Sequence, residues 1–214
     1  MPSFSGDDIP DLKNQVIIIT GGNAGLGLQT VKKLSSHNAA RSYLAARSQE
    51  KAEQAIKELQ AADQKATSIV FQKLNLASLE SVEEAVSNFL HRETRLDSLI
   101  NNADIRYTIS KLANPHYTEA LAERERHVKI VPKHPGMVAT NLHHASDGLF
   151  LWTFLFTAAK LFATPVETGA LSAIWAAVSP DANSGQYYGP VGKAESGSKA
   201  RPDHDLQEQL YSYV

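Results

Sequence analysis

Apolar and polar positions along this chain switch between two periods, and the switches come in a regular order. "VIIIT" (Val16–Thr20) is an unbroken apolar run rich in β-branched residues, as expected of a strand buried on both faces. "GGNAGLGLQTVKKLSSH" turns after it and takes up helical spacing. "RSYLAAR" (Arg41–Arg47) predicts a second short strand. "SQEKAEQAIKELQAA" predicts a helix with Ser48 as N-cap and acids in its first turn. "TSIVFQKLNL" is a third strand, "SLESVEEAVSNFLHRE" a third helix opening at Ser78, and "LDSLINNA" a fourth strand. The order β-α-β-α-β-α-β predicts an α/β domain with a parallel sheet covered by helices on both faces.

The alternation continues. "YTISKLANPHYTEALAERER" reads as a helix, "VKIVPKHPG" as a strand, "PVETGALSAIWAAVSP" as a helix and "GQYYGPVG" as extended chain. The last stretch is polar with a short amphipathic end. No repeat, low-complexity segment or linker divides the chain, so residues 1–214 are expected to form one domain.

Composition narrows the function classes. Lysine and arginine total 21 against 23 acids, a net charge of −2, so no basic excess points to nucleic acid or an anionic membrane. The absence of cysteine excludes disulfides and thiolate metal sites, and no metal is expected. The opening "MPSFSGDDIPDLKNQ" has no basic stretch leading into an apolar one, so a cytoplasmic protein is expected. "LFLWTFLFTAA" (Leu149–Ala159) is apolar, but a spanning helix needs about 20 such residues. It reads as a buried helix or a lid over a pocket, with interfacial contact with a membrane as the less favoured alternative.

Three groups of residues carry candidate chemistry. In "TGGNAGLG" (Thr20–Gly27), Gly21 permits a tight turn after a strand. Gly25 and Gly27 let backbone approach a pyrophosphate at the N-terminus of a helix, whose free N–H groups and partial positive charge favour an anion. Arg47 closes the second strand, where a dinucleotide site holds an acid for the ribose 2′-hydroxyl of NAD or a base for the 2′-phosphate of NADP. The neighbouring "AAR" offers no acid, which favours NADP. Tyr107 and Lys111 are four apart and share a helix face. An ammonium there favours the tyrosinate, lowers a phenol pKa of about 10 and makes Tyr107 a usable general acid or base.

The series "TGGNAGLG", "NLAS", "NNA", "YTISKLAN" and "HPGMVATNL", in that order, resembles the short-chain dehydrogenase/reductase family. "DIPDL", "LAARS", "YxxSKLAN" and "YYGPVGK" look most like its retinol-dehydrogenase-like and WW-domain-oxidoreductase-like branch. The resemblance implies a Rossmann-type, doubly wound parallel sheet and NADP-dependent interconversion of a carbonyl and an alcohol on a small apolar substrate. By position, Gly21, Gly25, Leu26 and Gly27 would line the pyrophosphate and Arg47 would meet the 2′-phosphate. Asn75, where the family usually has Asp, and Leu76 would flank the adenine. Asn102 and Ala103 would sit behind the ribose. Tyr107 would exchange a proton with the substrate oxygen, and Lys111 would hold the nicotinamide ribose. Pro135, Gly136, Val138 and Thr140 would contact the nicotinamide end.

The resemblance also implies a gap. The family places a helix and a strand between "NNAG" and its Tyr-x-x-x-Lys helix, and with them an Asn of the proton relay and the catalytic Ser. Here Asp104, Ile105 and Arg106 alone separate Ala103 from Tyr107. One helix and one strand are therefore expected to be missing, with the Tyr107 helix taking the lost helix's place and the next strand moving beside the fourth. The usual family dimer, which uses the lost helix, is expected to be disrupted. Two functions follow: an NADP-dependent oxidoreductase, or a catalytically impaired cofactor-binding protein.

Overall fold

The computed structural model describes residues 4–63, 69–103, 118, 121–136, 138 and 164–195. Four strands, β1 (Val16–Thr20), β2 (Arg41–Ala46), β3 (Ile69–Lys73) and β4 (Ser98–Ile100), alternate with α1 (Gly25–Ser35), α2 (Gln49–Ala62) and α3 (Leu79–Leu90), and α4 (Val166–Val178) follows. All pairings are parallel and the order is β3-β2-β1-β4. This is the first part of the Rossmann order, in which the chain returns across β1 after β3. Ser48 and Ser78 cap α2 and α3 as the sequence predicts, each accepting from the backbone N–H three residues on.

Side-chain alternation along the strands gives the sheet two unequal faces. Ile17, Ile19, Leu44, Ile69 and Ile100 enter the main core with residues of α1, α2 and α4. Val16, Ile18, Tyr43 and Val70 face the other way and pack around Phe89 of α3. Tyr43 is fully buried, lies edge-on to Phe89, and donates its hydroxyl to Glu93 at 2.8 Å. Glu93 also pairs with Arg41 at 3.0 Å. Burial and the Glu93 carboxylate push the Tyr43 phenol up from its ordinary value.

Large apolar side chains stay exposed on α3 and on β4. Leu99, in register with Ile18, is 52% exposed. Leu79, Val86 and Leu90 are exposed as well. At 3.6 residues per turn they lie roughly 100–140° round the helix from buried Ala85.

One expectation changes. "VKIVPKHPG" forms no strand beside β4, which ends the sheet among the described residues. Instead the amides of Gly185 and Tyr188 donate to the carbonyls of Ile130 and Pro132, and His134 N–H donates to Tyr188 O. Lys133 and Tyr188 form an isolated parallel bridge. Pro132 has no N–H to continue a ladder, so pairing stays this short. Of the predicted helix at 107–126, residues 118 and 121–124 are helical and the other residues up to 120 lie outside the described residues. The apolar run 149–159 lies outside them too. Among the described residues no helix is long and apolar enough to cross a membrane.

Candidate functional site

The site gathers at the carboxyl ends of β1 and β4. Gly21 turns the chain out of β1 at φ +64°, in the left-handed region, and its N–H donates to Ala45 O at 2.8 Å. Gly27, buried in the first turn of α1, lies so close to this turn that a Cβ there would be 2.3 Å from Gly21 O and 2.6 Å from Asn102 Nδ2. Gly25 is different. It has φ +53°, and a Cβ on it would meet nothing within 4 Å. The N-cap residue Ala24 supplies no side-chain acceptor, and the first turn contains no acid. Open space therefore adjoins an uncapped helix N-terminus, and its N–H groups and dipole suit an anion such as a pyrophosphate. Lys32 and Lys33 in the last turn complement the other end of the dipole.

Thr20 ties β4 to this turn. Its Oγ1 accepts from Asn102 N at 3.0 Å and Ala103 N at 2.9 Å, and its carbonyl accepts from Asn102 Nδ2 at 3.0 Å. Thr20 is itself buried. A Cβ on Gly21 would lie 3.1 Å from the Ala103 methyl, so the two loops are in contact. The expected neighbours Gly21, Gly27, Asn102 and Ala103 are thus brought together.

On the β2–β3 side, Arg47 is exposed just after β2. No described carboxylate pairs with it. Asn75 is half-buried and its side chain serves its own loop, with Oδ1 accepting from Ala77 N at 3.2 Å while Asn75 N donates to Ser81 Oγ at 3.0 Å. Leu76 follows, half-buried.

A third wall comes from later in the chain. Gly169 of α4 lies where a Cβ would be 2.7 Å from Val138 and 2.9 Å from Leu26, so Leu26 at the start of α1 and Val138 converge on it. Gly136 has φ +77° and sits beneath Pro190. Pro135 lies between it and His134. Tyr107, Lys111 and Thr140 lie outside the described residues.

Sequence reasoning missed Thr20, Gly169 and His134. Thr20 was legible as the one hydroxyl ending an otherwise apolar strand. Gly169 had a signal as well, being a glycine inside a helix, which costs about 1 kcal/mol relative to Ala unless something packs against it.

Residues 15–106 match the short chain dehydrogenase family model. A short-chain dehydrogenase/reductase of Armillaria gallica is 46% identical over 104 residues, which cover 49% of this chain and 33% of that protein. One from Phomopsis amygdali is 42% identical over 105 residues, 49% of this chain and 31% of that protein. The matched stretch thus spans about a third of these curated relatives. Among solved structures, the NADPH-bound carbonyl reductase from chicken fatty liver superposes with a TM-score of 0.67 at 16% identity, covering 89% of this chain and 97% of that one. L-sorbose reductase from Gluconobacter frateurii, complexed with NADPH and L-sorbose, gives 0.71 at 15% identity, covering 89% and 100%. At these identities the likeness is one of fold.

Proposed function

Since the chain belongs, through residues 15–106, to the short-chain dehydrogenase/reductase family, we propose that residues 1–214 form one NADP-binding oxidoreductase domain. Its chemistry interconverts a carbonyl and an alcohol on a small apolar molecule, with impaired turnover. The observation that carries the nucleotide part is the cradle between β1 and α1: open space at Gly25 beside an uncapped helix N-terminus. The exposed Arg47, which pairs with no carboxylate among the described residues, supports a 2′-phosphate in preference to a bare ribose.

In this reading the chain's residues divide the work. The amides at the start of α1, with Gly21, Leu26 and Gly27, hold the pyrophosphate. Arg47 holds the 2′-phosphate, Asn75 and Leu76 border the adenine, and Asn102 and Ala103 back the ribose. Pro135, Gly136, Val138 and Thr140 face the nicotinamide end. Tyr107 donates a proton to the substrate oxygen, and Lys111 lowers its pKa. The dinucleotide, when bound, supplies the hydride.

Impairment rests on the short interval from Ala103 to Tyr107 and on the exposed apolar side chains of α3 and of Leu99 in β4. Both fit the loss of a helix and a strand that would cover those side chains and carry the catalytic Ser. Loss of one oxyanion donor costs about 10²–10³ in rate. The same loss removes half of the family dimer's interface. A second reading, a cofactor-binding protein without turnover, is favoured by the same short interval. Oxidation of NADPH in the presence of an apolar aldehyde separates the two. Slow turnover that vanishes in Tyr107→Phe is the expected result. Turnover indifferent to Tyr107→Phe would remove Tyr107 from the mechanism, and none in the wild type would leave the second reading.

A further inference from the structure

We infer that His134, held by Glu195, is a positioning residue that fixes the Pro135–Gly136 turn for the nicotinamide half of the nucleotide. The inference rests on the nucleotide reading above and adds residues to it. Gly136 N–H donates to His134 Nδ1 at 3.1 Å. Nδ1 must therefore be the unprotonated nitrogen, and in the neutral ring the proton sits on Nε2. Nε2 faces Glu195 Oε2 at 3.0 Å, so the carboxylate selects the tautomer that leaves Nδ1 free to accept. The ring stacks on Tyr187, with centroids 5.6 Å apart and planes at 27°. The backbone N–H of His134 donates to Tyr188 O at 2.9 Å. The imidazole is thus fixed on three sides.

The holding segment is itself anchored. Val191 has φ +48°, uncommon for a β-branched residue, and its N–H donates to Ser172 Oγ of α4 at 3.1 Å. A Cβ on Gly192 would lie 2.5 Å from the Trp175 ring, so the turn is pressed onto α4. Pro190 of the same turn packs over Gly136, where a Cβ would approach its ring to 3.0 Å. The strained turn and the His134–Glu195 pair act on one target, the left-handed Gly136.

Two ligands separate the halves of the site. NADPH spans both, whereas adenosine 2′,5′-bisphosphate reaches only the adenosine side formed by Arg47, Asn75 and Leu76. Both are titrated calorimetrically into the full chain, the wild type beside His134→Leu and His134→Asn. Loss of one hydrogen-bond acceptor predicts NADPH binding roughly 3- to 10-fold weaker in His134→Leu. Binding of the bisphosphate should be unchanged. His134→Asn keeps an amide oxygen near the Nδ1 position and should restore most of the NADPH affinity. The inference fails if His134→Leu binds NADPH like the wild type. It fails equally if both ligands weaken together, which is a folding effect, or if the Asn variant is as weak as the Leu variant. A wild type that binds neither ligand overturns the nucleotide reading itself, and this inference with it.

Discussion

Gly27→Ala should destabilise the protein, although helix propensity alone favours it. Alanine in a helix is worth about 1 kcal/mol over glycine. Against that, the new methyl would sit 2.3 Å from Gly21 O and 2.6 Å from Asn102 Nδ2, where ordinary contact begins at 3.4 Å. Neither neighbour yields easily. Gly21 N–H is bound to Ala45 O, and Asn102 Nδ2 to Thr20 O. Separation by about 1 Å has to come from the backbone of the β1–α1 turn or from breaking the Asn102 contact. Overpacking of this kind costs about 1–3 kcal/mol and occasionally more. With a backbone carbonyl as the obstacle the clash lies at or beyond the top of that range, about 3–4 kcal/mol, so after the propensity gain of about 1 kcal/mol a net loss of about 2–3 kcal/mol is expected. For a chain of this size that lowers the melting temperature by about 4–12 °C. Gly25→Ala is the control. It meets nothing within 4 Å, so its cost is the left-handed backbone alone, about 1–2 kcal/mol. Circular-dichroism melts should rank wild type above Gly25→Ala above Gly27→Ala. A Gly27→Ala protein that melts at or above the wild-type temperature would refute the packing argument.

Thr20→Val keeps shape but removes the acceptor shared by Asn102 N and Ala103 N, leaving two half-buried N–H groups without it. A loss of about 2 kcal/mol in urea unfolding is expected, and an unchanged midpoint would show that water replaces the hydroxyl freely. The Arg95 guanidinium, and then the Val16 N–H, hold the Asp97 carboxyl below its ordinary value. A depressed folded-state pKa contributes stability above the unfolded value of 3.8, which is lost as pH falls through the folded pKa. Asp97→Asn should therefore be less stable than wild type at pH 7, with the gap closing below about pH 4. A gap independent of pH would assign the effect to packing.

The β-α-β half of the fold was legible because each strand is an apolar run and each helix carries its own cap. β1 to β4 and the caps Ser48 and Ser78 need only local sequence to be seen. The glycine turn was legible for the same reason, since Gly21 and Gly25 sit in a conformation few other residues adopt. The far half was harder. "VKIVPKHPG" has the composition of a strand, but Pro132 and the partner it finds at residues 185–188 decide against one. His134 and Glu195 are 61 residues apart, and their contact depends on how two extended segments lie together. No periodicity encodes that. Gly169, Leu26 and Val138 likewise meet only through tertiary packing of α4 on α1.

The central claim, that the cradle after β1 and Arg47 together take NADP, is tested most directly by calorimetric titration of NADPH and NADH into the wild type and Arg47→Asp. Arg47 is exposed, so solvent screens its contact with a 2′-phosphate and the preference for NADPH should be modest, at least about fivefold. Arg47→Asp should abolish or reverse that preference while the protein still binds NADH. Equal affinities for the two nucleotides in the wild type, or binding of neither, would contradict the account.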